Sequence, residues 1–252
     1  MTEYTHQHRL AEDMLALGVR PGSALLVHSS LSALGYVPGG PETVILGLLE
    51  ALGPEGTLLL PALSYATVHA ANPVFDVART PSCIGVIPEH FRTRPGTLRS
   101  VNPTHSMGGV GPQAAALLGE HHLDDTPCGP HSPWRKLPAV DGSILFLGCG
   151  LRPNTSMHAV EEVAQPPYLF GPTLTYRIIH ADGRETTMSV RRHNFSGYRQ
   201  RYDRIALVHE GGWIRQGQAL QAEAHLVRAA PMWEAALAAY ARDPLFFVER
   251  SV

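Results

Sequence analysis

Residues 23–63 read SALLVHSSLSALGYVPGGPETVILGLLEALGPEGTLLLPAL. The runs ALLV and LLL are short, wholly apolar and flanked by turn residues, which is the pattern of strands buried on both faces. Between them Pro41 stands at the first turn of a helix whose apolar residues run from Val44 to Leu52, and Gly53-Pro54-Glu55-Gly56 ends it. Upstream, Leu10, Met14 and Leu17 repeat at helical spacing and Gly18 closes that segment. The first sixty residues therefore read helix, strand, helix, strand, with a strand–loop–helix junction over residues 28–44. Buried strands alternating with helices predict an α/β fold.

Downstream, IGVIPEHFRTR predicts a short helix, residues 109–122 read as helical, and 123–137 as a structured loop. SILFLGCG is a third apolar strand, and a loop then enters a helix near Asn154–Ser156 that stops at Pro166-Pro167. Alternation from Thr173 to Val190 around Asp182-Gly183 predicts a hairpin, and PMWEAALAAYARD a final helix. No internal repeat and no linker divides the chain, so one domain over residues 1–252 is expected.

Composition excludes several classes. With 252 residues, 44 % hydrophobic and 17 % charged, the chain can build a full-sized core and is not disordered. Twenty basic against 22 acidic residues leave a charge of −2, which gives no general attraction for nucleic acid or an anionic membrane. No run reaches the roughly eighteen apolar residues of a membrane span. The opening MTEYTHQHRLAED lacks the basic and apolar regions of a secretory signal, so a cytoplasmic location is expected. Cys83, Cys128 and Cys149 are odd in number, widely spaced and form no CxxC, the usage of reduced thiols.

Three segments can carry chemistry. The loop VHSSLSALGYVPGG joins a strand to a helix through hydroxyls and glycines, so its N–H groups can meet phosphate. It matches neither the Walker nor the GxGxxG pattern, and an ordinary connection reads as well. Arg99-Ser100-Val101-Asn102-Pro103-Thr104-His105-Ser106 can hold an anion or polarise a carbonyl, or can be a turn satisfying its own backbone. His158, Glu161 and Glu162 stand at i, i+3 and i+4, so both carboxylates can lie on the imidazole's side of a helix. That suits a general base, and it also suits a routine contact on an exposed face. His121-His122 beside Asp124-Asp125 can bind a metal or end an exposed loop, and His193 sits in a strand-loop facing solvent or substrate.

Taken together, LLVHSSLSALGYVPGGPETVI, LPALSY, RSVNPTHSMGGVGP, GPHSPWRKLPAVDGSILFLGCGL and NTSMHAVEEVAQPPY resemble the aminoglycoside 3-N-acetyltransferase family. So does the ending, where QGQALQAEAHLV precedes a helix and DPLFF. The resemblance covers nearly the whole chain and implies an α/β single layered domain with a mixed central sheet flanked by helices. It implies acetyl-CoA as co-substrate with no metal, and acetylation at the 3-amino group of 2-deoxystreptamine aminoglycosides, hence antibiotic resistance. By the same resemblance His158 is the base in a direct transfer, with Glu161 orienting it or holding the cationic substrate. The coenzyme would lie along Ser29, Ser30, Leu31 and Ser32 and against Arg99, Ser100 and Ser106. Tyr65 would stand beside the substrate, and Glu162, with Asp124, Asp125 and Glu161, would supply the acidity a polycationic acceptor needs. Open alternatives are another small amine as acceptor, a metal-dependent hydrolase built from the 14 histidines, or a coenzyme-binding module without turnover.

Overall fold

The computed structural model describes residues 2–251. In chain order it runs α1 (Glu3–Leu17), β1 (Ala24–Ser29), α2 (Pro41–Leu52), β2 (Thr57–Pro61), β3 (Val74–Asp76), α3 (Val86–Thr93), β4 (Leu98–Arg99) and β5 (Met107–Val110). Then come α4 (Ala114–Leu118), α5 (Pro133–Lys136), β6 (Ser143–Leu147), α6 (Ser156–Ala164), β7 (Phe170–Ile179) and β8 (Glu185–His193). The chain closes with β9 (Tyr198–Gln200), β10 (Ile214–Ala219), β11 (Ala222–Arg228), α7 (Ala229–Arg242) and β12 (Val248–Arg250).

Seven strands form the main sheet in the order β10-β11-β6-β1-β2-β5-β4. The three apolar strands are its centre, with β1 parallel to both β6 and β2, while the remaining pairs are antiparallel. Alternation along each strand assigns residues to two cores. Ala24 and Leu26 of β1, Leu59 of β2, and Ile144 and Phe146 of β6 face the layer of α6 and α7. Leu25 and Val27, Leu58 and Leu60, and Leu145 and Leu147 face the layer of α1 and α2. The mixed α/β architecture with helices on both faces is the one expected from the sequence.

Local chemistry explains the helix limits. The Thr2 hydroxyl accepts from the Thr5 N–H at the start of α1, and Gly18 ends it at φ 109°. α1 and α2 approach so closely that a Cβ on Gly47 would lie 2.9 Å from the Gln7 carbonyl oxygen. Residues 109–110 depart from the helical expectation, because β5 pairs antiparallel with β2 and the α-helix of this stretch is only Ala114–Leu118. A Cβ on Gly109 would stand 2.8 Å from Leu59 Cδ2, so the glycines let this strand lie flat against its neighbours. The expected hairpin is present as β7–β8 and joins β3 in a smaller sheet. Among the described residues no helix is long and apolar enough to cross a membrane.

Candidate active site

The loops that leave the C-terminal ends of β6, β1 and β2 open on one edge of the parallel trio, where α/β sheets form ligand crevices. A cavity of about 740 Å³ occupies this edge, lined among others by His28, Tyr65, His105, His158, His193 and Tyr202. A second cavity of about 580 Å³ is walled by Ser29, Ser30, Leu31 and Ser32 opposite Ile84–Ile87. Ser29 and Ile84 line both, so the two spaces adjoin.

α6 begins just beyond β6 and is buried from Ser156 through Glu162. Residues 161 and 162 lie about 100° apart around such a helix, so they flank His158 on opposite sides. Glu161 takes the imidazole, with His158 Nδ1 lying 3.0 Å from Glu161 Oε2. The carboxylate is completely buried. It also accepts from Tyr202 (2.8 Å, Oε2), Tyr168 (2.8 Å, Oε1) and Tyr240 (3.0 Å, Oε1). Burial would raise its pKa, but the hydrogen bonds from His158, Tyr202 and Tyr168 outweigh that and hold it below the usual carboxylate value. An ionised carboxylate only accepts, so His158 carries its proton on Nδ1, and the Nε2 lone pair is left for the cavity.

Glu162 turns the other way. Its Oε1 accepts from His193 Nε2 (2.8 Å) and the Cys128 N–H (2.7 Å), and its Oε2 from the Thr126 hydroxyl (2.5 Å). The expectation that Glu162 meets substrate is corrected, because its side chain is 4 % exposed and both its oxygens are engaged. Asp124 is likewise buried and accepts from His131. Among the described residues that line the larger cavity there is no carboxylate, and the charged side chain there is Arg152. The acidic lining expected of a polycation site is thus not found among the described residues of this cavity.

Arg99, Ser100 and Ser106 are corrected as well. The Arg99 guanidinium donates to the carbonyls of Val77 (3.0 Å), Thr80 (2.6 Å) and Ala62 (3.1 Å) and to Ser106 Oγ (3.0 Å), and it stacks over Phe75. Burial and the neighbouring Arg92 pull its pKa down to about 9. Ser106 Oγ donates to the Ala62 carbonyl, and Ser100 Oγ bonds His121 Nδ1 while accepting the Met107 N–H. All three lie behind the cavity wall and lock loops together. Ser30 needs a smaller revision: its N–H extends the pairing to the Leu147 carbonyl at 2.9 Å and is not free for phosphate. The Ser29 hydroxyl is buried at the junction of the cavities without a partner.

His121 is no metal ligand of a polar loop end. It is buried, with Nδ1 on Ser100 and Nε2 on the Pro127 carbonyl. Other histidines reach the cavity from segments whose local spacing does not announce them. His28 continues the β1 parity of Ala24 and Leu26 and stacks on Phe146, and burial next to His158 drives its pKa down to about 3. His105 follows the turn in which Asn102 Oδ1 accepts the N–H groups of Thr104 and His105. Burial, then His193 and His158, lowers its pKa well below 6.5. Tyr65 stands at the mouth, half exposed.

A model of the aminoglycoside 3-N-acetyltransferase family matches residues 26–241. Aminoglycoside N(3)-acetyltransferase VII of Streptomyces paromomycinus is 37 % identical over 176 residues, 63 % of this chain and 61 % of that protein, so the match spans less than two thirds of the relative. Aminoglycoside N(3)-acetyltransferase IV of a Salmonella species is 33 % identical over 95 % of this chain and 88 % of its own length. Among solved structures, AAC-IIIb in a binary complex with CoASH superposes with a TM-score of 0.80 at 29 % identity, covering 96 % of this chain and 97 % of that one. A histidine-to-alanine variant of AAC(3)-IVa in complex with a gentamicin gives 0.80 at 32 % identity, covering 94 % and 89 %.

Proposed function

Because this chain belongs to the aminoglycoside 3-N-acetyltransferase family, we propose that it moves the acetyl group of acetyl-CoA to the 3-amino group of a 2-deoxystreptamine aminoglycoside and so confers resistance. The observation that carries this reading is the Nε2 lone pair of His158, turned to a cavity that adjoins the serine-walled one. The coenzyme lies along Ser29–Ser32, and the amine enters past Tyr65. The relatives' ligands support the two substrate classes, since AAC-IIIb holds CoASH and the AAC(3)-IVa variant holds a gentamicin.

The amine nitrogen attacks the thioester carbonyl, forming the C–N bond, and the C–S bond breaks to release the coenzyme thiolate. His158 Nε2 takes the proton that the amine loses, and Glu161 steadies the imidazolium so formed. The Ser29 hydroxyl, unpartnered at the junction, is the donor for the developing oxyanion. Transfer is direct. Cys149 reaches the cavity, but burial pushes its thiol up to about 12, which withholds the thiolate a covalent relay needs. Residues 1–252 act as one catalytic domain, a reading supported by one main sheet shared between two cores. The cytoplasm is the proposed compartment, in keeping with three unpaired cysteines.

A second acceptor class has an observation in its favour. The larger cavity presents Arg152 and, among the described residues, no carboxylate, which suits a small monoamine better than a polycation. Thiol release from acetyl-CoA across a panel of aminoglycosides and simple amines separates the two. His158→Ala is expected to lower kcat by about 10²–10⁴-fold, the worth of a positioned base. An unchanged kcat at neutral pH overturns the assignment.

A further inference from the structure

The geometry points to a second occupant of this cavity: a single transition-metal dication of the Zn²⁺ class, held by His105, His158 and His193 and excluding acetyl transfer while bound. One ring nitrogen from each of these histidines lies within 4.8 Å of the others. The rings contact one another, with centroids 5.5, 5.2 and 4.9 Å apart. In each ring the opposite nitrogen is already held. His158 Nδ1 is on Glu161, His193 Nε2 on Glu162 and His105 Nδ1 on the Thr104 hydroxyl at 2.8 Å. Carboxylate or hydroxyl partners behind ligand imidazoles fix tautomer and ring orientation and raise ligand basicity in metal sites.

Elimination leaves His158 Nε2, His105 Nε2 and His193 Nδ1 as the facing atoms, and His193 Nδ1 is buried without any hydrogen-bond partner. Three histidines plus a water complete a tetrahedral shell. Ligand nitrogens in such a shell stand about 3.3 Å apart, so the rings draw inward on binding. Charge is compensated although no described carboxylate lines the cavity, because Glu161 and Glu162 stand directly behind two of the ligands. The metal and the substrate amine claim the same lone pair on His158. Binding of the ion is independent of the acetyltransferase reading, and the exclusion of transfer rests on it.

The test uses protein without a histidine tag, freed of metal by EDTA and desalted. Titration with Co²⁺ is expected to give the intense visible bands of four-coordinate cobalt, saturating at one equivalent and displaced one for one by Zn²⁺. His105→Gln and His193→Gln are each expected to weaken Zn²⁺ at least tenfold by calorimetry. A weak six-coordinate spectrum alone, or affinity unchanged in both variants, overturns the site. Should the variants fail to fold, the Co²⁺ form of the unaltered protein decides, because hyperfine-shifted ring protons from three imidazoles support the site and fewer overturn it. Saturating Zn²⁺ is expected to abolish acetylation and EDTA to restore it, and full turnover with the site occupied overturns the exclusion. Absence of transfer by the metal-free protein, in a preparation that does give the cobalt bands on titration, would refute the acetyltransferase reading and uphold the metal site.

Discussion

Glu161 receives four donors on two oxygens, three phenols and one imidazole, at the bottom of the site where no substrate can reach it. A positioning role follows, and the two tasks the sequence left open for this residue separate in kinetics. Glu161→Gln is expected to lower kcat about 10²–10⁴-fold with KM within about twofold, because the amide turns a donor toward groups that are themselves donors. A rise in KM with kcat retained would put the carboxylate on the substrate. Tyr168→Phe removes one of the four donors and should cost about 1 kcal/mol of stability with kcat largely kept. The pair His158 and Glu161 was legible because i and i+3 residues meet on any helix. Tyr202 and Tyr240 come from segments far along the chain, and no local spacing announces them.

At the scale of elements, Arg99 fastens pieces that the sheet alone leaves loose. Its four donors join the end of β2 at Ala62, the turn after β3 at Val77 and Thr80, and the segment before β5 at Ser106. In the sequence an arginine beside serines reads as an anion site, because a buried guanidinium satisfied by main-chain carbonyls leaves the same residue pattern. Lysine carries the charge without the planar fork. Arg99→Lys is therefore expected to destabilise the fold by about 2–4 kcal/mol, measured by urea unfolding, through two or three lost charge-assisted bonds. Coenzyme A affinity, measured well below the midpoint, should stay within about threefold. A coenzyme affinity loss above tenfold in the folded variant would return Arg99 to the coenzyme site. The same paired view explains residues 109–110: the start of the expected helix is instead paired with β2, which only the assembled sheet reveals.

Across the whole molecule, the apolar runs identified the central strands and their helices. Their order, with β1 between β6 and β2, depends on contacts between distant segments and was not legible from periodicity. That order also explains why so many histidines are buried: those lining the crevice are enclosed by loops from three strands, while His121 is enclosed behind it. His121 donates from Nε2 to the Pro127 carbonyl and pairs at Nδ1 with the Ser100 hydroxyl, and its complete burial disfavours the charged ring. Burial lowers its pKa from 6.5 to about 4. Between these values the unfolded chain binds a proton that the folded chain refuses, so stability is complete above pH 6.5 and falls as the pH drops toward 4. The slope from this one residue reaches at most about 1.4 kcal/mol per pH unit. His28, with a folded value of about 3, extends the loss further into acid. His121→Gln keeps one donor and one acceptor but does not titrate there. Urea unfolding at pH 7.5, 6 and 5 should therefore show a shallower acid decline for the variant, whatever its stability at pH 7.5, and equal declines would mean that His121 titrates normally in the fold.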